Sequence, residues 1–215
     1  MNKEIITIAL SKGRLFDEAL VLLNKAGIEI ASSDINSRKL MIPDMRGRFQ
    51  FFMLKPVDVP TYVEYGVADA GIAGLDVLLE SNADIHQPLD LRIGYCRMVV
   101  AAPKATAQQN YKELSAVRIA TKYPRITTEY FTRRGIPVEI IPLSGSVELA
   151  PLLGLSDRIV DLVSSGRTLA ENGLEIVEPI LDVSARLVVN RASYQIKRKG
   201  VMELIEELSK VVAGT

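Results

Sequence analysis

The sequence predicts an α/β protein built on mostly parallel β-sheet. Short β-rich runs alternate with helical patterns from the first residues onward, which is the rhythm of strands joined by crossover helices. Hydrophobic residues make up 48% of the 215-residue chain and charged residues 24%, enough apolar material for a substantial core. No low-complexity linker or internal repeat interrupts the alternation, so any two lobes are expected to share strands and not hang on a flexible tether.

Residues 5–10 open the chain as a buried strand, and residues 11–14 form a loop. Leu15, Ala19, Leu22, Leu23 and Ala26 then recur at helical spacing until Gly27 stops the helix. Residues 49–54 read as a second strand. Asp58 reads as a helix N-cap with Pro60 in the first turn, and Gly66 as the stop. Residues 70–73 form a third strand, 75–80 a short helix, 84–90 a polar connector and 91–102 a long extended stretch. A second α/β series follows: strand 117–120, helix 127–134, turn 135–137, strand 138–141, helix 147–153 and strand 159–163. A short helix ends near Gly173, extended runs cover 174–181 and 185–189, and an amphipathic helix spans about 200–212.

Lys plus Arg and Asp plus Glu both number 26. The chain therefore lacks the basic excess that draws nucleic acid or an anionic membrane, and any anion site must be local. No apolar run reaches membrane-spanning length, and residues 5–10 are too short for a signal-peptide core. The lone cysteine, Cys96, and the lone histidine, His86, exclude an internal disulfide and a typical structural zinc site. The cytoplasm is the expected compartment. Cys96 reads as a small core residue and His86 as a solvated connector residue.

The chemistry concentrates where the strand at 159–163 runs into Ser164, Ser165, Gly166, Arg167 and Thr168. Backbone N–H groups at a helix start favour an anion, glycine lets a phosphate approach the backbone, and the hydroxyls of Ser164, Ser165 and Thr168 add donors. Taken alone, a serine-glycine turn capping a helix would read the same way. Asp161, just before the loop, adds an acceptor for sugar hydroxyls, and together these groups describe a 5-phosphoribose site.

Glu148, Gly154, Ser156, Ile159, Asp161, Leu162, Ser165, Gly166, Thr168 and Leu169 also stand at the spacing of the ATP phosphoribosyltransferase signature. The resemblance extends to the run 10–15, to Ser37, Arg38, Lys39 and Leu40, to Asp58, Val59 and Pro60, and to the run 118–123. The chain resembles the short-form catalytic subunit of this family, the HisG family. That resemblance implies two lobes, each a mostly parallel sheet with flanking helices, similar to type II periplasmic binding proteins. Lobe I would be 1–95 plus 180–215, and lobe II, 96–179, would carry the phosphoribosyl pyrophosphate loop.

The implied reaction transfers the 5-phosphoribosyl group to N1 of ATP, releasing pyrophosphate in the first step of histidine biosynthesis. Arg38 and Arg14 are the implied catalytic cations. Glu148, Asp161 and Ser164 to Thr168 would hold phosphoribosyl pyrophosphate, and Ser11, Lys12, Gly13, Arg14, Lys55 and Tyr123 would hold ATP. Mg2+ would bind mainly through substrate phosphates, with no dedicated protein metal site. The implied partner is a regulatory subunit similar to histidyl-tRNA synthetase, joined with dimers of this chain in a hetero-octamer. A rival reading is a two-lobed solute-binding or effector protein without catalysis, because fold does not fix function. A receptor of that kind would need an export signal, and an effector domain would follow a DNA-binding helical segment.

Overall fold

The structure, a computed structural model, describes residues 5–35, 37–110 and 116–214, without the side chain of Arg14. The chain divides into two compact units, residues 1–94 with 184–215 and residues 95–183. Unit 1 begins with β1 (Ile6–Ser11), α1 (Arg14–Lys25), α2 (Ser32–Ile35), β2 (Met41–Pro43), β3 (Phe49–Leu54), α3 (Val59–Glu64), β4 (Ala70–Gly74), α4 (Leu75–Ser81) and β5 (His86–Asp90). Unit 2 holds β6 (Cys96–Pro103), β7 (Val117–Thr121), α5 (Pro124–Thr132), β8 (Val138–Pro142), α6 (Leu149–Leu152), β9 (Arg158–Val163), α7 (Arg167–Glu171) and β10 (Leu174–Val183). Unit 1 is completed by β11 (Ala185–Val189), α8 (Arg191–Ile196) and α9 (Arg198–Ala213).

The sheet of unit 1 has the order β2-β3-β1-β4-β11-β5. Its centre, β3-β1-β4, is parallel, and the outer pairings are antiparallel. Alternation along β1 divides the core between two faces. Ile6, Ile8 and Leu10 pack with Phe49, Phe51, Leu22, Leu23, Leu204 and Leu208, whereas Ala9 joins Val59, Val63 and Leu78 on the other face. Val201, Leu204, Leu208 and Val212 form the buried stripe of α9, at the spacing of one helical face.

Unit 2 is also a mixed sheet, with the order β10-β6-β9-β7-β8. β9, β7 and β8 are parallel, and β6 pairs antiparallel with both β9 and β10. Met98, Val100, Ile119 and Val160 face Ile126 and Phe131 of α5. Val99, Ala101, Ala120 and Ile159 face Ala150 of α6 and Leu169 of α7.

Several elements differ from the sequence reading. Residues 86–90 form an edge strand, β5, and not a connector. Its polar composition reflects one exposed sheet edge, and His86 packs against Tyr194 with ring centroids 5.1 Å apart. The expected extended run 91–102 is broken by positive φ at Arg92 and Gly94 before β6 starts. Helix 147–153 shortens to α6. Asp58 lies in a 3-10 turn, already in the right-handed helical region, so its side chain does not cap α3. The C-terminal helix is preceded by α8, which Asn190 caps by accepting the Ser193 N–H at 2.9 Å while donating to the Val63 and Glu64 carbonyls. β2 and α2 had no counterpart in the sequence reading.

A buried carboxylate ties β1, β4, α8 and the start of α9 together. Asp69, 2% exposed, accepts from Thr7 N–H and Oγ1 at 2.8 Å each, from Ser193 Oγ at 2.7 Å and from Lys197 Nζ at 2.8 Å. Burial pushes this carboxyl up, but the bonds from Lys197, Thr7 and Ser193 outweigh burial and hold it below the usual aspartate range. A depressed folded-state value means that the stabilisation is present above the unfolded value and is lost as pH falls through the folded one. Asp69→Ala is expected to cost about 3 kcal/mol in urea unfolding near neutral pH. The deficit relative to the unaltered chain should shrink below about pH 4, and an equal deficit at both ends of that range would contradict the assignment.

Candidate functional site

β9 ends at Val163, and the chain turns through Ser164, Ser165 and Gly166 into α7. Gly166 has φ 76° and ψ −2°, a left-handed conformation that costs an L-residue about 1–2 kcal/mol. An added Cβ would meet only Val163 Cγ1 at 3.8 Å, so glycine is required by backbone conformation and not by crowding. α7 has five residues, too few for a strong macrodipole. The attraction for an anion therefore rests on the local N–H groups of its first turn, which have no partners within the helix, and on the nearby hydroxyls. Ser164, Ser165, Arg167 and Thr168 are exposed. The Arg167 N–H approaches Ser165 Oγ at 3.4 Å, and its guanidinium is held by Glu171 at 2.7 Å.

These residues line a concavity of about 90 Å³ together with Glu148, Asp161, Leu162, Val163 and Leu169. At roughly 30 Å³ per water molecule the volume equals about three waters, which suits a phosphate or part of a sugar. Glu148 occupies the residue before α6, and its carboxylate does not cap that helix. Asp161 Oδ1 accepts the Leu162 N–H at 2.8 Å. Burial pushes Asp161 above the usual aspartate range. The Leu162 bond opposes that rise, the Glu148 charge adds to it, and the Lys122 charge opposes it. The concavity thus combines carboxylate acceptors, suited to hydroxyl groups, with N–H and hydroxyl donors, suited to a phosphate.

Unit 1 gathers cations at one end of its parallel strands. β1 and β3 are in register from Ile6 with Phe49 to Ser11 with Leu54, and the Lys12 N–H donates to the Leu54 carbonyl at 3.3 Å. Lys12 and Lys55 therefore leave adjacent strand ends, both exposed. β2 runs antiparallel to β3, and the Met53 N–H donates to the Leu40 carbonyl, which brings the exposed Arg38 to the same end. Lys39 beside it is paired with Asp34 at 2.7 Å. Ser11 is buried at the end of β1, and Gly13 has φ 120° where the chain enters α1. Arg14 opens that helix, but its side chain lies outside the described residues.

Tyr123 differs from the other positions. Tyr123 is 6% exposed and clusters with Met98, Ile119 and Phe131 in the core of unit 2, outside the lining of the concavity. Lys122, given no role by the sequence reading, is exposed at the end of β7 and acts on Asp161. Its signal was available, since it is the first residue beyond a parallel strand. Among the described residues no group of three or more His, Cys, Asp or Glu gathers to hold a metal ion, and no helix is long and apolar enough to cross a membrane.

A family model described as HisG: ATP phosphoribosyltransferase matches residues 55–210. The ATP phosphoribosyltransferase of Acidithiobacillus ferrooxidans is 56% identical over 209 residues, covering 96% of this chain and 97% of the relative. That of Geobacter metallireducens is 50% identical over 210 residues, covering 97% and 99%. Among solved structures, the ATP phosphoribosyl transferase (HisG:HisZ) complex from Thermotoga maritima matches with TM-score 0.83 at 40% identity, covering 98% of this chain and 100% of that one. The periplasmic aliphatic sulphonate binding protein SsuA from Escherichia coli shares the fold alone, with TM-score 0.60 at 12% identity over 98% of this chain and 69% of that one. The family match takes in both the acid-and-loop concavity of unit 2 and Lys55 of unit 1, and the chain belongs to the HisG family of ATP phosphoribosyltransferases.

Proposed function

We propose that this chain joins ATP to phosphoribosyl pyrophosphate, the first step of histidine biosynthesis. A bond forms from N1 of adenine to the anomeric carbon, and the bond from that carbon to pyrophosphate breaks with its electron pair leaving on the pyrophosphate. The observation that carries this reading is the concavity in which Glu148 and Asp161 meet the donors of residues 164–168. There the loop N–H groups and hydroxyls of Ser164, Ser165, Gly166, Arg167 and Thr168 hold the 5-phosphate, and the two carboxylates accept from the ribose hydroxyls.

Adenine N1 carries an unprotonated lone pair at neutral pH, so no general base is needed to create the nucleophile. What remains is to align the reactants and stabilise charge developing on the leaving group. Lys12, Lys55 and Arg14 serve the ATP phosphates alongside Ser11 and Gly13, and Arg38 serves the departing pyrophosphate. Tyr123, expected at the ATP site, also anchors the turn that carries Lys122.

Mg2+ fits this site as a passenger on the substrate phosphates. The loop offers donors instead of a carboxylate cage, and Mg2+ readily keeps phosphate and water ligands. Bound there, it would neutralise phosphate charge. The Thermotoga relative is a HisG:HisZ complex, which supports a second subunit for this chain: a histidyl-tRNA synthetase-like regulator assembled with dimers of this chain in a hetero-octamer. The reaction is assigned to the cytoplasm.

Adduct formation followed by ultraviolet difference, with pyrophosphate release measured in parallel, tests the reading with and without the regulatory partner. Asp161→Asn is expected to raise KM for phosphoribosyl pyrophosphate about tenfold, the loss of one charge-assisted bond. Arg38→Ala is expected to lower kcat by about a hundredfold or more. No adduct from folded protein with Mg2+ and a competent partner would overturn the assignment in favour of a binding protein.

A further inference from the structure

The turn after β7 is held rigidly around one exposed side chain. Thr121 and Thr127 are both 0% exposed. Thr121 Oγ1 donates to the Val160 carbonyl at 2.8 Å and accepts the Tyr123 N–H at 2.9 Å, while Thr127 Oγ1 donates to the Tyr123 carbonyl at 2.7 Å. With the Tyr123 ring in the core, Lys122 is the exposed residue of this mount. β7 and β9 are parallel with Thr121 paired to Val160, so one step further along each chain brings Lys122 level with Asp161. Paired positions on adjacent strands share a face.

Each element packed on β9 carries a charged residue, and of these Glu148 and Lys122 bear on Asp161. Lys122 comes from β7 and Glu148 from the start of α6. Arg97 comes from β6, opposite Val163, and Arg167 comes from α7 with its guanidinium taken by Glu171. Glu148 works against ionisation of Asp161 and Lys122 works for it. Two carboxylates sharing a partly buried concavity tend to retain one proton between them. A protonated carboxyl loses the charge-assisted acceptance that ribose hydroxyls would use.

We propose that Lys122 is a positioning residue of the phosphoribosyl pyrophosphate site, mounted level with Asp161 on the neighbouring strand end so that its charge favours the Asp161 carboxylate as an acceptor for the ribose hydroxyls. The inference rests on the assignment of that concavity given above. Lys122 acts through Asp161 and carries no bond-making role.

The test compares Lys122→Met and Lys122→Arg with the unaltered chain, using Mg2+, both substrates and the regulatory partner. Lys122→Met is expected to raise KM for phosphoribosyl pyrophosphate about tenfold while changing KM for ATP less than about twofold. Losing a charge that favours ionisation raises the pKa of Asp161, so the acidic limb of kcat/KM for phosphoribosyl pyrophosphate should move to higher pH. Lys122→Arg should restore both. Lys122→Gln provides a second neutral replacement if the methionine variant fails to fold. Unchanged KM and pH profile in an active background would overturn the role of Lys122, as would an equal rise in both KM values without a pH shift. An inactive unaltered chain would instead overturn the assigned reaction.

Discussion

The parallel pairing of β9 with β7 is the constraint on which the candidate site depends. Register between Thr121 and Val160 ends β7 level with Val160, while β9 runs on to Val163 before the loop through Gly166. The turn at Lys122 thereby stands level with Asp161, and the loop follows further along the same strand. In open α/β sheets this end of the strands is where ligands bind, because the loops there join strand ends to helix starts. The buried hydroxyl of Thr121 reinforces the register by bonding across to Val160. A slip of one residue would turn Asp161 to the opposite face of the sheet.

Two aspartates show how the same side chain is put to different uses. Asp69 and Asp161 are both withdrawn from water, yet one is held below the usual range and the other above it. Asp69 has its acceptor capacity filled by donors from Thr7, Ser193 and Lys197, which fits a structural tie. Asp161 accepts one backbone bond from Leu162 and faces a second carboxylate, which leaves capacity for a ligand. With equal numbers of acidic and basic residues in the chain, any attraction for polyanions must be local; Lys12, Arg38 and Lys55 stand at strand ends in unit 1, and N–H donors open α7 in unit 2.

Much of this was legible in the sequence because strand and helix periods differ and because loops at strand ends carry polar residues and glycine. The run from Glu148 to Leu169 could be read as acids followed by an anion loop, and the structure brings those residues into one concavity. The antiparallel edges were harder to read. β5 is polar because it lies at the sheet edge, so its composition resembled a connector. α8 is short, and although Asn190 caps it locally at Ser193, a signal open to sequence, its tertiary bonds to α3 are not. Tyr123 shows the converse: a residue beside a charged turn on the sequence is buried once α5 packs against the sheet. The position of Lys122 beyond a strand is legible in sequence, but its register with Asp161 is a relation between strands.

The central claim is that residues 164–168 hold the phosphoribosyl phosphate while Glu148 and Asp161 hold its hydroxyls. Amide proton–nitrogen correlation spectra of the chain titrated with Mg2+ and phosphoribosyl pyrophosphate test it directly. The expected result is saturable shifts at the amides of Ser165, Gly166, Arg167 and Thr168, with inorganic phosphate reproducing the loop shifts but not those at Glu148 and Asp161. Saturable binding that leaves the amides of 164–168 unmoved would contradict the account.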